Sequence, residues 1–465
     1  MQVFSLNSFE NFIPVRKTFA LFGTSAAFSL SPCLHNELFK LSGIDAEYIS
    51  VTVSPDELER AVELAKEKLC GFNCTIPHKQ AIIPFLSDMD KHTELLGAAN
   101  TVTVKNGKLY GYNTDGIGFT NALKQDNVDV SGKDVLLLGY GGAALSVGYE
   151  LAVNGAKKIT VAGRSRDKAQ SFIKTLSQAT ERDIFEFAEL ENVSGWFDIL
   201  VNTTPVGMSD EGVSPVDLDK LNGLTFVYDC IYHPPMTKLL RDANAHQIPW
   251  DNGLSMLIGQ GAQAQVHWLD IPPHSAELIK HTLDFTSAVD TKNRLKTIYK
   301  KGNIALSGFM GSGKTTIGKA LARLLDMDFI DLDEYIEKTN NITIPEIFEK
   351  FGEKHFRALE SRACSEISCL DNTVISTGGG TVINNNNADT LRENAIIIYL
   401  NRTIEQIQRN LQNSFQRPLL SGDDNASKLR ELYNSRKELY EKHTDINVTF
   451  PNGIDDGTKH VIMHI

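Results

Sequence analysis

The sequence predicts an α/β protein: an N-terminal α/β region, then a Rossmann-type half, then a separate P-loop unit with a parallel sheet. Three observations carry that prediction. Apolar runs of strand length alternate with helical patterns in the first hundred residues. A second series restarts at Lys133, where KDVLLLG runs into glycines, and a third at Asn303, where NIALSG runs into GFMGSGKTT. Buried parallel strands read as continuous apolar runs, and their alternation with helices is the signature of βαβ units.

The elements follow in chain order. TFALFG (Thr18 to Gly23) and EYISVTV (Glu47 to Val53) read as strands. Ser54, Pro55 and Glu57 then supply an N-cap, a first-turn proline and a capping-box acid ahead of ERAVELAKEKL, a pattern that satisfies helix-end N–H groups. TVTV and LYGY flank Asn106-Gly107, a pair suited to a tight hairpin turn. ITVAGR (Ile159 to Arg164) and FDILVNTT (Phe197 to Thr204) continue the second series at α/β spacing. Between Thr282 and Lys301 the pattern turns polar and basic, which places a linker at 286–302. The Asn384 to Asn387 run reads as a loop, and no element is predicted before Thr18.

Length and composition bound the function classes. At 465 residues the chain holds two to four domains of the usual about 100–200 residues each. Apolar content of 42% and charged content of 22% are those of a soluble globular protein. The net charge of -12 argues against nucleic acid or an anionic membrane as partner, because both select a basic excess. No segment reaches the roughly 18 apolar residues of a membrane helix. The opening MQVFSLNSFENFIPVRK lacks the layout of a secretory signal, so a cytoplasmic location is expected. The six cysteines, Cys33, Cys70, Cys74, Cys230, Cys364 and Cys369, form no CxxC and read as free thiols of a reducing compartment.

GFMGSGKTT matches the GxxxxGK[ST] pattern between an apolar strand and the helical run IGKALARLL. In that setting the turn around Gly311, Ser312 and Gly313 and the helix start at Thr316 cradle nucleotide phosphates. Lys314 reaches the transferred phosphate, and Thr315 is a magnesium ligand. Asp331 and Asp333 follow the short strand DFI, at the mouth of a parallel sheet where α/β proteins bind ligands. Arg357 in FGEKHFRALE, Gly378 to Gly380 in STGGG, Arg417 in QRPLL and Arg436 in SRKELYEK complete the candidate set. Guanidinium groups grip a small carboxylate better than lysine point charges do.

In this order, GxxGxGKT, DxD, FRxxE, GGG, RPLL and RxxLY resemble the shikimate kinase family, from about Asn303 to the end of the chain. The resemblance implies a P-loop kinase α/β domain with a parallel sheet, using ATP with Mg2+. Thr315 and Asp331 would be the magnesium partners, Asp331 through water. Asp333 would hold and deprotonate the acceptor hydroxyl. Arg357 and Arg436 would bind the substrate carboxylate, Gly379 would contact the substrate, and Arg417 would lie in a lid, LQNSFQRPLLSGDDNAS, closing over ATP. Thr444 stands where the family usually has alanine.

GYGGAA (Gly139 to Ala144) fits GxGxxG with Ala144 in third place, and makes Gly139, Gly141, Gly142 and Ala143 dinucleotide-binding candidates. The next strand ends in GRSRDK, with Arg164 at the strand end where an NAD enzyme would show an acid for the ribose hydroxyls. Arg164 and Ser165, with Arg166 or Lys168, suit a 2′-phosphate, so NADP(H) is favoured over NAD. Lys79 in NCTIPHK and Asp115 in YNTDGIG are the acid/base candidates for a hydride-transfer reaction.

SLSPxxHN, GFNCTIPHK, GAANT, NTDGxG, GxGGAA, VNTTPVGM, YxPPMTxLL and NGLSMLIGQGA resemble the shikimate dehydrogenase family, roughly from Thr18 to Thr282. The resemblance implies that Ser29 and Ser31 bind the substrate carboxylate, that Thr75, Asn100, Tyr232 and Gln260 contact its ring and hydroxyls, and that Gly253 lies near the nicotinamide. Lys79 and Asp115 would form the acid/base pair. Ser25 and Phe28 replace the family's usual proline and histidine, and Gly163 replaces the asparagine common before Arg164.

The domain plan is then a dehydrogenase over 1–285, a linker over 286–302 and a kinase over 303–465. Within the first, the substrate domain takes residues 1–120 and 250–285 and the NADP-binding Rossmann domain takes 121–249. The two resemblances imply a bifunctional oxidoreductase and transferase of the shikimate pathway, in aromatic amino-acid biosynthesis. It would reduce 3-dehydroshikimate with NADPH and phosphorylate the shikimate formed at its 3-hydroxyl with ATP. Its partners are small molecules, neither nucleic acid nor membrane, and the sequence implies no oligomeric state. Quinate as the dehydrogenase substrate, and a silent scaffold role for one half, are the alternatives.

Overall fold

A computed structural model describes residues 3–210, 212–412, 425–450 and 453–465. The chain divides into two units, residues 1–286 and 287–465.

The first unit contains two large sheets. In one, Val3–Ser5, Ala46–Thr52, Lys17–Gly23 and Gly71–Cys74 lie side by side and parallel. Thr101–Lys105 then pairs antiparallel with Gly71–Cys74 and forms the expected hairpin with Lys108–Tyr112, and Asp88–Met89 closes the edge. The second sheet is wholly parallel, in the order Phe185–Glu189, Lys158–Gly163, Asp134–Leu138, Ile199–Asn202, Phe226–Asp229 and Trp250–Asn252. Its first strand in the chain, Asp134–Leu138, is central. The winding therefore reverses beside it, and a crevice opens at the carboxyl ends of the strands. The helices Asp115–Gln125 and Leu254–Leu269 join the two sheets and pack on each other.

The second unit has one parallel sheet in the order Asp328–Asp331, Thr373–Ser376, Asn303–Ser307, Ala395–Asn401 and Ile446–Thr449. Asn303–Ser307 is central here too, which sets the P-loop at its end over the switch point. Buried Ile304 and Leu306 face one side of the sheet and Ala305 the other, each in its own apolar cluster.

Three local expectations are corrected. Residues before Thr18 are not unassigned: Val3–Ser5 is the edge strand and Leu6–Glu10 a helix, capped by the Ser5 hydroxyl accepting the Ser8 N–H at 3.3 Å. Leu6 and Phe9, one turn apart, fall on the buried face, and full burial of such a phenylalanine is worth about 1.5–3 kcal/mol. The asparagine run is not a loop, since Asn384 caps the helix Asn385–Arg392 by accepting the Asn386 N–H at 3.0 Å, a role for which asparagine is well suited. Finally, residues 286–297 of the expected linker are helical, within Ala276–Thr297. Ala288 and Leu295, seven residues apart on one face, are buried in the core of the second unit.

Candidate active sites

In the first unit the chemistry gathers where the two sheets meet. Lys79 sits in the short helix His78–Ala81, just beyond Gly71–Cys74. The His78 ring nitrogen Nε2 lies 2.9 Å from the Val53 carbonyl and the Ala99 N–H donates to the Lys79 carbonyl at 2.8 Å, which pins that turn at both ends. Asp115 is the first residue of Asp115–Gln125, where a carboxylate is favoured by the helix dipole. The Lys79 ammonium is ion-paired with Asp115, and both side chains are largely buried.

Asn100 completes the constellation. Its Nδ2 donates to Asp115 Oδ1 at 2.8 Å and to Gln260 Oε1 at 3.2 Å, while its Oδ1 accepts the Thr114 N–H at 2.8 Å. Residues 79, 100, 115 and 260 are thus brought together from four separate segments. Burial pushes the Cys74 thiol up to about 12 and the Cys230 thiol well above its ordinary range, so neither offers a thiolate beside the Lys79–Asp115 pair. Thr75 lies against Gly23, and Ser29 donates to Ser31 Oγ at 3.0 Å. Tyr232 is half-buried in the loop after Phe226–Asp229. Gly253, the N-cap of Leu254–Leu269, donates its N–H to the Ile231 carbonyl at 3.1 Å.

The glycine-rich turn stands next to this cluster. Gly141 is the N-cap of the helix Gly142–Val153, with Ala143 in its first turn, and a Cβ on Gly142 would lie 3.9 Å from Lys79 Cδ. At the end of the neighbouring strand, Ser165 caps the helix Arg166–Thr180 by accepting the Lys168 N–H at 3.5 Å. Arg166 and Lys168 differ in their neighbours. Arg166 lies 4.9 Å over the Phe187 ring and 4.0 Å from Glu189, whereas Arg164 and Lys168 are exposed and make no ion pair among the described residues. Arg164, Ser165 and Lys168 thus place two exposed cations beside a helix start.

In the second unit a cavity of about 440 Å³ is lined by the P-loop, Asp331, Asp333, Gly379 and Arg402. Gly313 is the N-cap of the helix Lys314–Leu325, on which Thr315 and Thr316 fall in the first turn. Lys314 Nζ bonds the Gly308 carbonyl at 2.9 Å and the Phe309 carbonyl at 3.2 Å. Thr315 donates to Asp331 Oδ2 at 2.8 Å, and Asp331 Oδ1 accepts the Asp333 N–H at 3.1 Å. The triple glycine lies between the acid and the arginines. A Cβ on Gly378 would stand 2.8 Å from Asp333 Oδ1, and one on Gly380 2.7 Å from Arg357 Nη1. Arg436 Nη1 reaches the Gly379 carbonyl at 3.4 Å. Arg417 lies outside the described residues.

Four residues of these sites were not singled out from the sequence. Glu360 is fully buried and accepts from Arg357 Nη1 at 2.9 Å and Thr381 Oγ1 at 2.8 Å. Tyr440 donates its hydroxyl hydrogen to the Gly379 carbonyl. Arg402, stacked 4.3 Å over Phe450, lines the nucleotide cavity. Asp229 anchors the loop bearing Tyr232, accepting from Thr237 Oγ1 at 2.6 Å, Asn202 Nδ2 at 2.9 Å and the Ile231 N–H at 3.1 Å. Glu360 was visible as the last letter of FRxxE and Tyr440 as that of RxxLY; Arg402 and Asp229 stand at strand ends, with no sequence signal beyond that position.

Comparison with known proteins gives three family matches along the chain. Residues 21–102 match the shikimate dehydrogenase substrate binding domain, 121–207 match shikimate / quinate 5-dehydrogenase, and 310–456 match shikimate kinase. A shikimate dehydrogenase (NADP(+)) of Citrifermentans bemidjiense is 41% identical over 265 residues, covering 55% of this chain and 91% of the relative. Among solved structures, a shikimate dehydrogenase in complex with NADP+ aligns with TM-score 0.54 at 36% identity, covering 58% of this chain and 96% of its own. The shikimate 5-dehydrogenase of Thermus thermophilus, in complex with NADP(H) and shikimate, aligns with TM-score 0.53 at 28% identity, covering 58% and 99%.

Proposed function

Over its first unit the chain belongs to the shikimate dehydrogenase family, and from that premise we propose that it reduces 3-dehydroshikimate to shikimate with NADPH and phosphorylates the product with ATP. With a shikimate kinase domain behind the dehydrogenase, it is a bifunctional enzyme of the shikimate pathway. The observation that carries the reading is the presence, in one chain, of the Lys79–Asp115 pair bridged by Asn100 and a P-loop whose Thr315 bonds Asp331.

In the first reaction, NADPH when bound supplies a hydride to the ring carbonyl carbon. Lys79 delivers a proton to the carbonyl oxygen, so the carbonyl becomes a hydroxyl, and Asp115 holds the ammonium in place and takes part in its reprotonation. Asn100, Thr75, Tyr232 and Gln260 orient the ring through its hydroxyls, and Ser29 and Ser31 hold its carboxylate. Gly139, Gly141, Gly142 and Ala143 receive the pyrophosphate, Arg164, Ser165 and Lys168 the 2′-phosphate, and Gly253 leaves room for the nicotinamide.

In the second reaction, ATP with Mg2+ supplies the phosphoryl group. Hard oxygen donors suit that cation, which keeps several waters and takes few protein ligands. The Thr315 hydroxyl and the Asp331 carboxylate, 2.8 Å apart, fit this requirement. Asp333 holds the 3-hydroxyl of shikimate and takes its proton as the oxygen bonds to phosphorus and ADP leaves. Arg357 and Arg436 hold the substrate carboxylate beside Gly379. Gly311, Ser312, Gly313 and Thr316 surround the phosphates, and Lys314, with Arg417, neutralises their charge.

The test is a coupled assay on the whole chain from 3-dehydroshikimate with NADPH and ATP, following shikimate and its 3-phosphate. Shikimate that neither reduces NADP+ nor drives ADP release would sink the reading. Comparing kcat/KM for shikimate and quinate, with NADP+ and with NAD+, ranks the substrates of the first unit.

A further inference from the structure

Tyr140 lies inside the glycine-rich turn, between Gly139 and Gly141, and its half-buried ring packs on the core of the Rossmann sheet. The ring also lies across the end of the next strand. A Cβ on Gly163 would stand 2.1 Å from Tyr140 Cε1 and 2.7 Å from Cδ1, so no side chain fits at position 163 while the ring is there. Tyr140 and Gly163 are thus a matched pair. The phenol fills the space that a side chain at position 163 would occupy, in front of Arg164.

The hydroxyl of that ring has a defined polarity. It accepts the Ser165 backbone N–H at 3.2 Å, so its single hydrogen is left to donate. The groups beside it at the strand end, Arg164 and Lys168, are cations without an ion pair among the described residues, and Ser165 caps a helix of 15 residues. A free hydroxyl hydrogen, two exposed cations and a helix start thus belong to one strand end and the turn beside it, a set that suits an anion with several oxygens.

We propose that Tyr140 is a cofactor-specificity residue, whose hydroxyl donates to the 2′-phosphate of NADP(H). The proposal rests on the reading of the first unit as an NADP(H) enzyme. It adds a residue of the turn itself to the group that separates NADP(H) from NAD(H).

The experiment is Tyr140→Phe in the full chain, which keeps the ring on Gly163 and removes only the donor. Equilibrium binding of NADP+, 2′,5′-ADP and NAD+ is measured by calorimetry, with the fluorescence of the three tryptophans, all in the first unit, as the control for folding. A hydrogen bond to a charged group supports an expected weakening of about tenfold or more for NADP+ and 2′,5′-ADP, with NAD+ binding unchanged. The double variant Tyr140→Ala with Gly163→Asn, which returns a polar side chain to the strand end, is expected to recover part of the NADP+ affinity that Tyr140→Ala alone loses. Unchanged NADP+ binding in Tyr140→Phe, or an equal loss for NADP+ and NAD+, overturns the proposal. A wild-type chain that binds no NADP+ overturns the underlying reading instead.

Discussion

Asn100 Nδ2 lies 2.8 Å from Asp115 Oδ1, on the opposite side of the carboxylate from the Lys79 ammonium. One carboxylate is therefore fixed by an amide through one oxygen and pairs with the Lys79 ammonium through the other. Groups bound this way act as a unit, and removing one member disables the rest. Lys79→Ala and Asp115→Asn are each expected to lower dehydrogenase kcat by about 10²–10⁴, and the double variant by no more than the worse single one. Steady-state assays of both activities on each variant check this, with the kinase rate unchanged throughout. Losses that multiply in the double variant would mean that the two residues act independently.

Arg357 is held by Glu360 at 2.9 Å, and Glu360 is buried with a second bond to Thr381. That contact aims the planar fork beside the triple glycine, a geometry that a lysine cannot copy. Replacing Arg357 by lysine is expected to raise the KM for shikimate by about 10- to 100-fold, the equivalent of a lost charged hydrogen bond, and to leave the KM for ATP within about twofold. A parallel rise in both constants would place Arg357 at the nucleotide instead.

Thr315 and Asp331 are joined at 2.8 Å, and both line the nucleotide cavity. If they share the magnesium ion, directly and through water, Asp331→Asn shifts the Mg2+ concentration for half-maximal kinase rate upward by about tenfold, since one charged oxygen contact is lost. Excess Mg2+ then restores most of kcat. A fall in kcat that no Mg2+ concentration relieves would assign Asp331 to the chemical step. Dehydrogenase activity is the internal control.

What could be read from the sequence, and what could not, divides along physical lines. The P-loop was legible because its ligands are mainly backbone groups of one contiguous turn, fixed by glycines at set spacing. The leading strands of the three large sheets were legible because buried parallel strands are written as unbroken apolar runs. Lys79 and Asp115, 36 residues apart in the chain, are joined only by tertiary structure, and no local pattern pairs them. Arg402 was missed for the same reason, since it becomes distinctive only beside Phe450, whereas Glu360 stood in the FRxxE motif and its bond to Arg357 alone was hidden. The strand Val3–Ser5 was missed because three residues carry no period, and its place is set by pairing with Ala46–Thr52. Gly163 was noticed as a departure, but its cause lies 23 positions upstream in the ring of Tyr140.

His35 gives the dehydrogenase unit a pH-dependent stability. It is fully buried, with its ring stacked 4.2 Å from Tyr48 and its Nδ1 within 3.2 Å of Gln265 Nε2. Burial, opposed by Asn73 and reinforced by nearby His274, lowers its pKa from 6.5 to about 3. The folded chain thus keeps His35 neutral down to about pH 3, while the unfolded chain takes up a proton near 6.5. Between those values the unfolded state binds more protons, so this contribution is fully present above pH 6.5 and is lost as pH falls. From pH 7 to pH 5 the loss is about 2 kcal/mol. All three tryptophans, Trp196, Trp250 and Trp268, lie in the first unit, so urea unfolding followed by tryptophan fluorescence reports that unit within the whole chain. The wild type is expected to lose about 2 kcal/mol more than His35→Gln between the two pH values, whatever the variant's stability at pH 7. Equal losses would assign the acid sensitivity to other groups.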